Sequence, residues 1–206
     1  EKFGFKNSMV WHNDRELPKS DLIVLPGGFS FGDYLRTGSI ASKSKIIEKV
    51  VEFAKYGGLI LGICNGFQIL IETGLLPGAL LRNKNLKFLS KNIHLKITNN
   101  SNKFLSKFDK NVIELHIAHN EGNYYIDQKG LQNLESNNLI AFQYSDNIGN
   151  ASPENNPNGS INNIAGVYNS KQNILGMMPH PERMIDKYLS GNDGSIFFKN
   201  LLKMHA

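Results

Sequence analysis

The sequence predicts an α/β fold: a doubly wound, mostly parallel sheet with helices on both faces and added antiparallel strands in the C-terminal half. Three observations carry this. Leu22–Leu25 and Leu59–Ile63 are unbroken apolar runs, the pattern of strands covered on both faces, and each leads into a glycine-containing turn. Between them, apolar residues recur at helical spacing. After about residue 90, strand candidates follow one another with sparse helical periodicity, as antiparallel strands do.

Taken in order, Ser8–Trp11 reads as a short strand, broken off by Leu17-Pro-Lys-Ser20. Leu22–Leu25 ends in Pro26-Gly27-Gly28, a turn that leaves backbone amides exposed, and Phe29–Ala41 reads as a long ordered loop. Ser44–Tyr56 is helical, with Ile47, Val50, Val51 and Ala54 on one face, and Gly57-Gly58 stops it. Leu59–Ile63 follows as a strand, then a sharp turn at Cys64, then a helix ending at Gly74. Strands are expected at Ile93–Thr98, Val112–Ala118, Leu139–Tyr144, Ile164–Tyr168 and Ile174–Met178, with a hairpin turn at Ser170–Asn173 and a polar loop at Asn150–Asn163. Gly194–Met204 is a closing helix that turns Ile196, Phe197, Leu201 and Leu202 inward. The chain enters almost at once into what reads as a second strand. A parallel sheet of this kind needs a preceding β–α unit of roughly 20 residues, so the N-terminal strand is expected to be missing and residues 1–206 to form one truncated domain.

Composition narrows the function classes. A single cysteine excludes an internal disulfide and fits a reducing compartment. No apolar run approaches the roughly 18 residues of a membrane span, and the start of the chain has no signal-peptide core, so a cytoplasmic location is expected. The net charge is +5, but the lysines stand singly (Lys91, Lys96, Lys103, Lys107, Lys110), without a basic stripe or interleaved aromatics, which argues against a nucleic-acid surface.

The chemistry concentrates at Gly62-Ile-Cys64-Asn-Gly66. Glycine two residues before and two after a potential nucleophile, after a strand and before a helix, is the nucleophile elbow. A sulfur at a helix N-terminus is favoured as thiolate by unpaired N–H groups and the helix dipole. The competing reading is a small buried core cysteine. A thiol nucleophile wants a base held by a third group, and the candidates are His12, His94, His116, His119, His180 and His205. Pro179-His180-Pro181-Glu182 stands out, because an extended segment between prolines points residues i and i+2 the same way, so that Glu182 orients His180; the alternative is an ordinary surface His and Glu among loop prolines. Acyl transfer also needs oxyanion donors: the Asn65 amide is one candidate, the Gly28 or Gly27 amide the other. Gln68 lies one helical turn after Cys64 on the same face and is placed to hydrogen-bond an amide substrate. His116-x-x-His119-x-Glu121 does not have the spacing of a metal site, since positions 116 and 119 of a strand face opposite ways.

Two rival classes remain open. An α/β-hydrolase shares the elbow but orders its triad nucleophile, acid, histidine, whereas here the acid follows the histidine. A partner-binding or cysteine redox-sensing module needs no His–Glu pair.

Together, Gly62-x-Cys64-x-Gly66-x-Gln68 and the distant His180-Pro-Glu182 resemble the type 1 (triad) glutamine amidotransferases. Leu25-Pro-Gly-Gly-Phe-Ser-Phe-Gly-Asp-Tyr-Leu-Arg36, Ile117-Ala-His-Asn-Glu-Gly-Asn-Tyr124, Asn156-Pro-Asn-Gly-Ser160 and Met178-Pro-His-Pro-Glu-Arg183 are similar, in order, to the glutaminase-subunit family of phosphoribosylformylglycinamidine synthases. Asn120 departs from that pattern, standing where the family commonly has glycine. The resemblance implies a flavodoxin-like sheet and a definite chemistry. Cys64 attacks the carboxamide of L-glutamine, His180 is the acid and base, Glu182 orients His180, and the Gly28 and Asn65 amides hold the oxyanion. Gln68, His119 and Glu121 seat the glutamine. It also implies no cofactor on this chain: there is no Walker-type phosphate loop, so ATP and magnesium belong to a separate synthetase subunit. That subunit uses the ammonia to convert formylglycinamide ribonucleotide to the amidine in purine synthesis, with a small third subunit in the complex. The Phe31–Arg36 and Asn156–Asn163 loops are expected to touch the synthetase.

Overall fold

In the computed structural model, residues 2–33, 36–106, 108–188 and 190–202 are described. The elements run β1 (Leu22–Leu25), α1 (Lys45–Lys55), β2 (Leu59–Ile63) and α2 (Asn65–Glu72), these four in the expected order, followed by β3 (Ala79–Leu81), β4 (Leu89–Ile97), β5 (Val112–His119) and β6 (Asn123–Tyr125). Then come α3 (Gln128–Ser136), β7 (Ile140–Ser145), β8 (Ile164–Tyr168), β9 (Ile174–Met177) and α4 (Asp193–Leu202). Tyr34 and Leu35 of the Phe31–Arg36 loop, Lys107, and residues 203–206 with His205 and the expected last turn of the closing helix lie outside the described residues.

The seven-stranded sheet has the order β1-β2-β9-β8-β7-β4-β5, and β3 and β6 form a separate antiparallel pair. β1 and β9 run parallel to β2 on either side. From β9 outward the neighbours β8, β7, β4 and β5 alternate in direction, which is the antiparallel extension expected of the C-terminal half. All five residues of β2 are buried. Side chains alternate across a strand, so both faces of the sheet are covered there. One continuous apolar core includes Ile47 and Val50 of α1, Phe67 and Leu70 of α2, the centres of β2, β7, β8 and β9, and Phe197 and Leu201 of α4. α1 is amphipathic as predicted, with Ile46, Ile47, Val50 and Ala54 buried. It ends at Gly57, whose φ of 85° is the left-handed stop that glycine supplies cheaply. No helix among the described residues is long and apolar enough to cross a membrane.

Several expectations change. Ser8–Trp11 is not a strand: Met9 is 90% exposed, and the chain instead closes a turn in which Trp11 N–H donates to Asp14 and Asp14 N–H to the Trp11 carbonyl. β1 pairs only with β2 among the described residues, so Val24 is 44% exposed and the strand is less covered than its apolar sequence predicts. β4 begins at Leu89 rather than Ile93, because Leu89 and the polar Ser90, Lys91 and Asn92 still pair in register with β5, Leu89 opposite His119. Helix α3 and the β3–β6 pair were not expected. α3 buries one residue, Leu134, and is started by Asp127, whose Oδ1 accepts from the Gly130 amide at 2.7 Å.

Candidate active site

Strand β2 delivers Cys64 to the C-terminal edge of the parallel strands, where sites of α/β sheets lie. The turn has almost no room. A Cβ on Gly66 would stand 1.9 Å from the Leu25 carbonyl oxygen, so only glycine lets α2 pack against the end of β1. Cys64 takes φ 50° and ψ −105°, a sparsely populated conformation for a non-glycine residue of the kind found at functional sites. Its N–H donates to the Met177 carbonyl at 2.8 Å, which pins the apex to β9, and its carbonyl accepts the Gln68 amide at 3.1 Å. Cys64 is thus the residue that precedes the first turn of α2, and its sulfur lies 3.9 Å from the Ala118 carbonyl oxygen. Cys64 is only 6% exposed. Burial fits a core cysteine equally well; the strained apex and the imidazole beside it do not follow from that reading.

His180 arrives from the far end of the chain just after β9. Its N–H donates to the His116 carbonyl at 2.8 Å, bridging the segment to β5. The ring is 3% exposed. Nδ1 stands 2.5 Å from Glu182 Oε1. The pairing forms, but not through an extended segment: Pro181–Arg183 is a single 3-10 turn, because proline is favoured at the first position of a helical turn. With Nδ1–H donated to the carboxylate, Nε2 is the lone-pair nitrogen. That atom is buried and has no hydrogen-bond partner among the described residues. A Cβ on Gly27 would meet His180 Cε1 at 2.6 Å and Cys64 Cβ at 3.5 Å. The imidazole and Cys64 Cβ thus converge on one glycine.

The remaining predicted residues form two connected groups. Gly28 faces open space, and neither its amide nor that of Asn65 has a backbone acceptor among the described residues. Asn65 Oδ1 accepts from both the amide and the hydroxyl of Ser30, and its Nδ2 donates to Gln68 Oε1 at 2.9 Å. Gln68 is buried, not solvated, and Nε2 donates to the Glu121 carbonyl at 2.8 Å. The Glu121 carboxylate accepts from Thr37 Oγ1 at 2.8 Å and lies 3.7 Å from Arg82. His119 is buried, with Nδ1 against Asn83 Oδ1 at 3.1 Å and its ring over Gly122. Desolvation, and then the charge of His180, hold its pKa down at about 4, so it is neutral at pH 7. His116 faces away, onto Ser90 and Asn92 of β4; desolvation and the nearby Arg183 lower its pKa. Among the described residues, no three His, Cys, Asp or Glu side chains gather to hold a metal. His12 packs at a tilt against Trp11 and edge-on against Phe31, and His94 lies mid-strand opposite Glu114.

Two sets of residues escaped sequence reasoning. Asn83, fully buried, donates to the carbonyls of Lys87 and His119 and accepts from the Gly122 amide, so it shapes the turn after β5. Asn158 and Ser160 hold the Gly122 carbonyl from the other side, and Asn158 also meets the buried Tyr144 hydroxyl at 3.2 Å. Both lie in the Asn156–Ser160 stretch, which was the one local signal for them. Asn120 has no positive φ, so asparagine fits its position without strain.

The sequence matches the family model of a CobB/CobQ-like glutamine amidotransferase domain over residues 2–193. It is 62% identical over 202 residues to phosphoribosylformylglycinamidine synthase subunit PurQ of Pelagibacter ubique, covering 98% of this chain and 89% of that one. The PurQ subunit of Sulfurimonas denitrificans is 48% identical over 205 residues, covering 98% and 90%. Among solved structures, PurLQS from Thermotoga maritima superposes with a TM-score of 0.80 at 41% identity, covering 94% of this chain and 84% of that chain. A glutamine amidotransferase from Thermotoga maritima shares the fold at TM-score 0.58 and 17% identity, covering 92% and 81%.

Proposed function

Because this chain belongs to the CobB/CobQ-like glutamine amidotransferase family, within the PurQ glutaminase subunits of phosphoribosylformylglycinamidine synthase, we propose that it frees ammonia from L-glutamine with Cys64, His180 and Glu182 and delivers it to a synthetase subunit. One observation carries the reading: a buried imidazole, held by a carboxylate on one nitrogen and open on the other, lies beside a cysteine at a strained elbow.

The chemistry then proceeds in balanced steps. The Cys64 thiol gives its proton to His180 Nε2, and the thiolate sulfur attacks the carboxamide carbon of glutamine. The Glu182 carboxylate steadies the imidazolium that forms. The tetrahedral oxyanion meets the amides of Asn65 and Gly28, which point at charge that exists only past the ground state. As the C–N bond breaks, His180 returns the proton to the departing nitrogen and ammonia leaves a γ-glutamyl thioester. Water, deprotonated by His180, attacks that thioester; glutamate departs and the thiol is restored. Gln68, His119 and Glu121 seat the glutamine mainly by shaping the wall beside Cys64, since the polar atoms of Gln68 and the Glu121 carboxylate already have partners in the chain.

ATP and magnesium act on the synthetase side of the complex, where the ammonia converts formylglycinamide ribonucleotide to its amidine, and a small third subunit completes the assembly. The relative of known structure named PurLQS supports such a partnership. Phe29 and Phe31 are exposed beside Gly28, and the loop they belong to, with the Asn156–Asn163 loop, is the surface we assign to the synthetase. Glutamate release from glutamine, measured with and without the synthetase, tests the reading. Cys64→Ala is expected to abolish release; unchanged release would end the proposal.

A further inference from the structure

The loop that carries Gly28 and the helix that carries Asn65 are separate stretches of chain. The proposed reaction nevertheless needs their two amides at a fixed spacing. One side chain spans the gap. The Ser30 hydroxyl donates to Asn65 Oδ1 at 2.6 Å, and the Ser30 amide donates to the same oxygen at 3.3 Å. Asn65 is buried, and its Nδ2 is already given to Gln68 Oε1 at 2.9 Å. Gln68 in turn is fixed by the Glu121 carbonyl at 2.8 Å. Both polar atoms of the Asn65 carboxamide are therefore engaged, and the group cannot turn without breaking a bond in a buried place. Ser30 sits two residues after Gly28, on the same loop, so this contact fastens that loop to the first turn of α2.

We propose that Ser30 is a positioning residue for glutamine hydrolysis: by locking the loop bearing Gly28 to the helix bearing Asn65, it sets the separation of the two amides that receive the oxyanion. This rests on the glutaminase reading above. The oxyanion develops only as the sulfur adds to the carbonyl, so a small drift of one amide raises the barrier and leaves substrate binding nearly unchanged. Alanine at position 30 keeps the longer backbone contact and loses the shorter one. Threonine keeps the hydroxyl.

The test compares Ser30→Ala, Ser30→Thr and wild type, with the synthetase present, reading kcat and KM for glutamine, thermal midpoint, and the rate and pH dependence of thiol alkylation by iodoacetamide. Ser30→Ala is expected to lower kcat about tenfold with KM within about twofold. Ser30→Thr is expected to restore kcat. Alkylation should not change, because neither His180 nor Glu182 touches Ser30. A Ser30→Ala enzyme with wild-type kcat, a loss confined to KM, or a threonine variant no better than alanine would overturn the proposal. Failure of the underlying reading looks different: Cys64→Ala would then retain glutamine turnover. If turnover needs Cys64 but ignores Ser30, only the positioning role falls.

Discussion

His180 Nδ1 lies 2.5 Å from Glu182 Oε1, and the two residues differ sharply in environment: the ring is buried while the carboxylate side chain is 43% exposed. The carboxylate reaches solvent, while the ring it touches is held in one orientation and one tautomer. Glu182→Gln preserves the shape and an acceptor oxygen but removes the charge that would steady the imidazolium. In the proposed mechanism kcat is expected to fall at least about a hundredfold with little change in KM. Thiol alkylation should also need higher pH, as the thiolate loses the support of a protonated neighbour. Steady-state glutamate release and alkylation kinetics check this, and an active Glu182→Gln enzyme would favour a module that does not use the pair.

Gly27 offers a way to disturb the same ring without touching it chemically. Its backbone is not in the left-handed region, so alanine brings no φ penalty. A methyl group there, however, would stand 2.6 Å from His180 Cε1, closer than real contacts allow, and a tight 3.1 Å from Nδ1. The ring has to move, and a displacement of about 1 Å is costly for proton transfer. Gly27→Ala is expected to fold with a thermal midpoint near wild type and to lose at least about tenfold in kcat. Full activity in this variant would show that His180 need not hold its position.

What could be read in advance followed the local signal. β2 and β8 match their apolar runs residue for residue, because a strand buried on both faces writes its limits directly into the sequence. The elbow and the His180–Glu182 pair were legible for a related reason: each is a short motif whose parts are neighbours in the chain. α3 was missed because one buried residue leaves no periodicity, and β3 and β6 because three-residue strands carry none. Glu182 met His180 from a turn rather than an extended segment, a choice made by Pro181 and the packing behind it. Asn83 gave no sign at all, and Ser30 none of its own beyond its place in the Leu25–Arg36 stretch. Their importance lies in partners 36 and 35 residues away, which no neighbour in the chain reveals.

Asn83 should be among the least replaceable polar residues of the chain. Its amide donates to the carbonyls of Lys87 at 2.8 Å and His119 at 3.0 Å, and its oxygen meets the Gly122 amide and His119 Nδ1, each at 3.1 Å. Alanine would strand several buried polar groups at once, each costing about 1–3 kcal/mol when left unpaired. Some will recover water or new partners, so a loss of about 3 kcal/mol is expected. The turn after β5 would also loosen, raising KM for glutamine more than it lowers kcat. Denaturant melts and glutaminase kinetics on Asn83→Ala check both effects; a variant within 1 kcal/mol or so of wild type would mean the hub is easily bypassed.

His119 links this turn to pH. Burial, and then the charge of His180, hold its pKa at about 4 against an ordinary 6.5, so the folded protein keeps the ring neutral while the unfolded chain protonates it first. Between those two values the unfolded state binds more protons, and stability must rise with pH. The contribution is complete above about pH 6.5, declines as pH falls, and is gone below about pH 4, a span of at most about 3 kcal/mol. His119→Gln removes the titrating group and retains polar atoms that can face Asn83. Its unfolding free energy should therefore fall less steeply than that of wild type as pH drops through this window, whatever its stability at pH 7. Parallel denaturation curves of the two proteins at several pH values decide the matter: equal slopes would show that the buried ring accepts a proton in the folded state as readily as in the unfolded one.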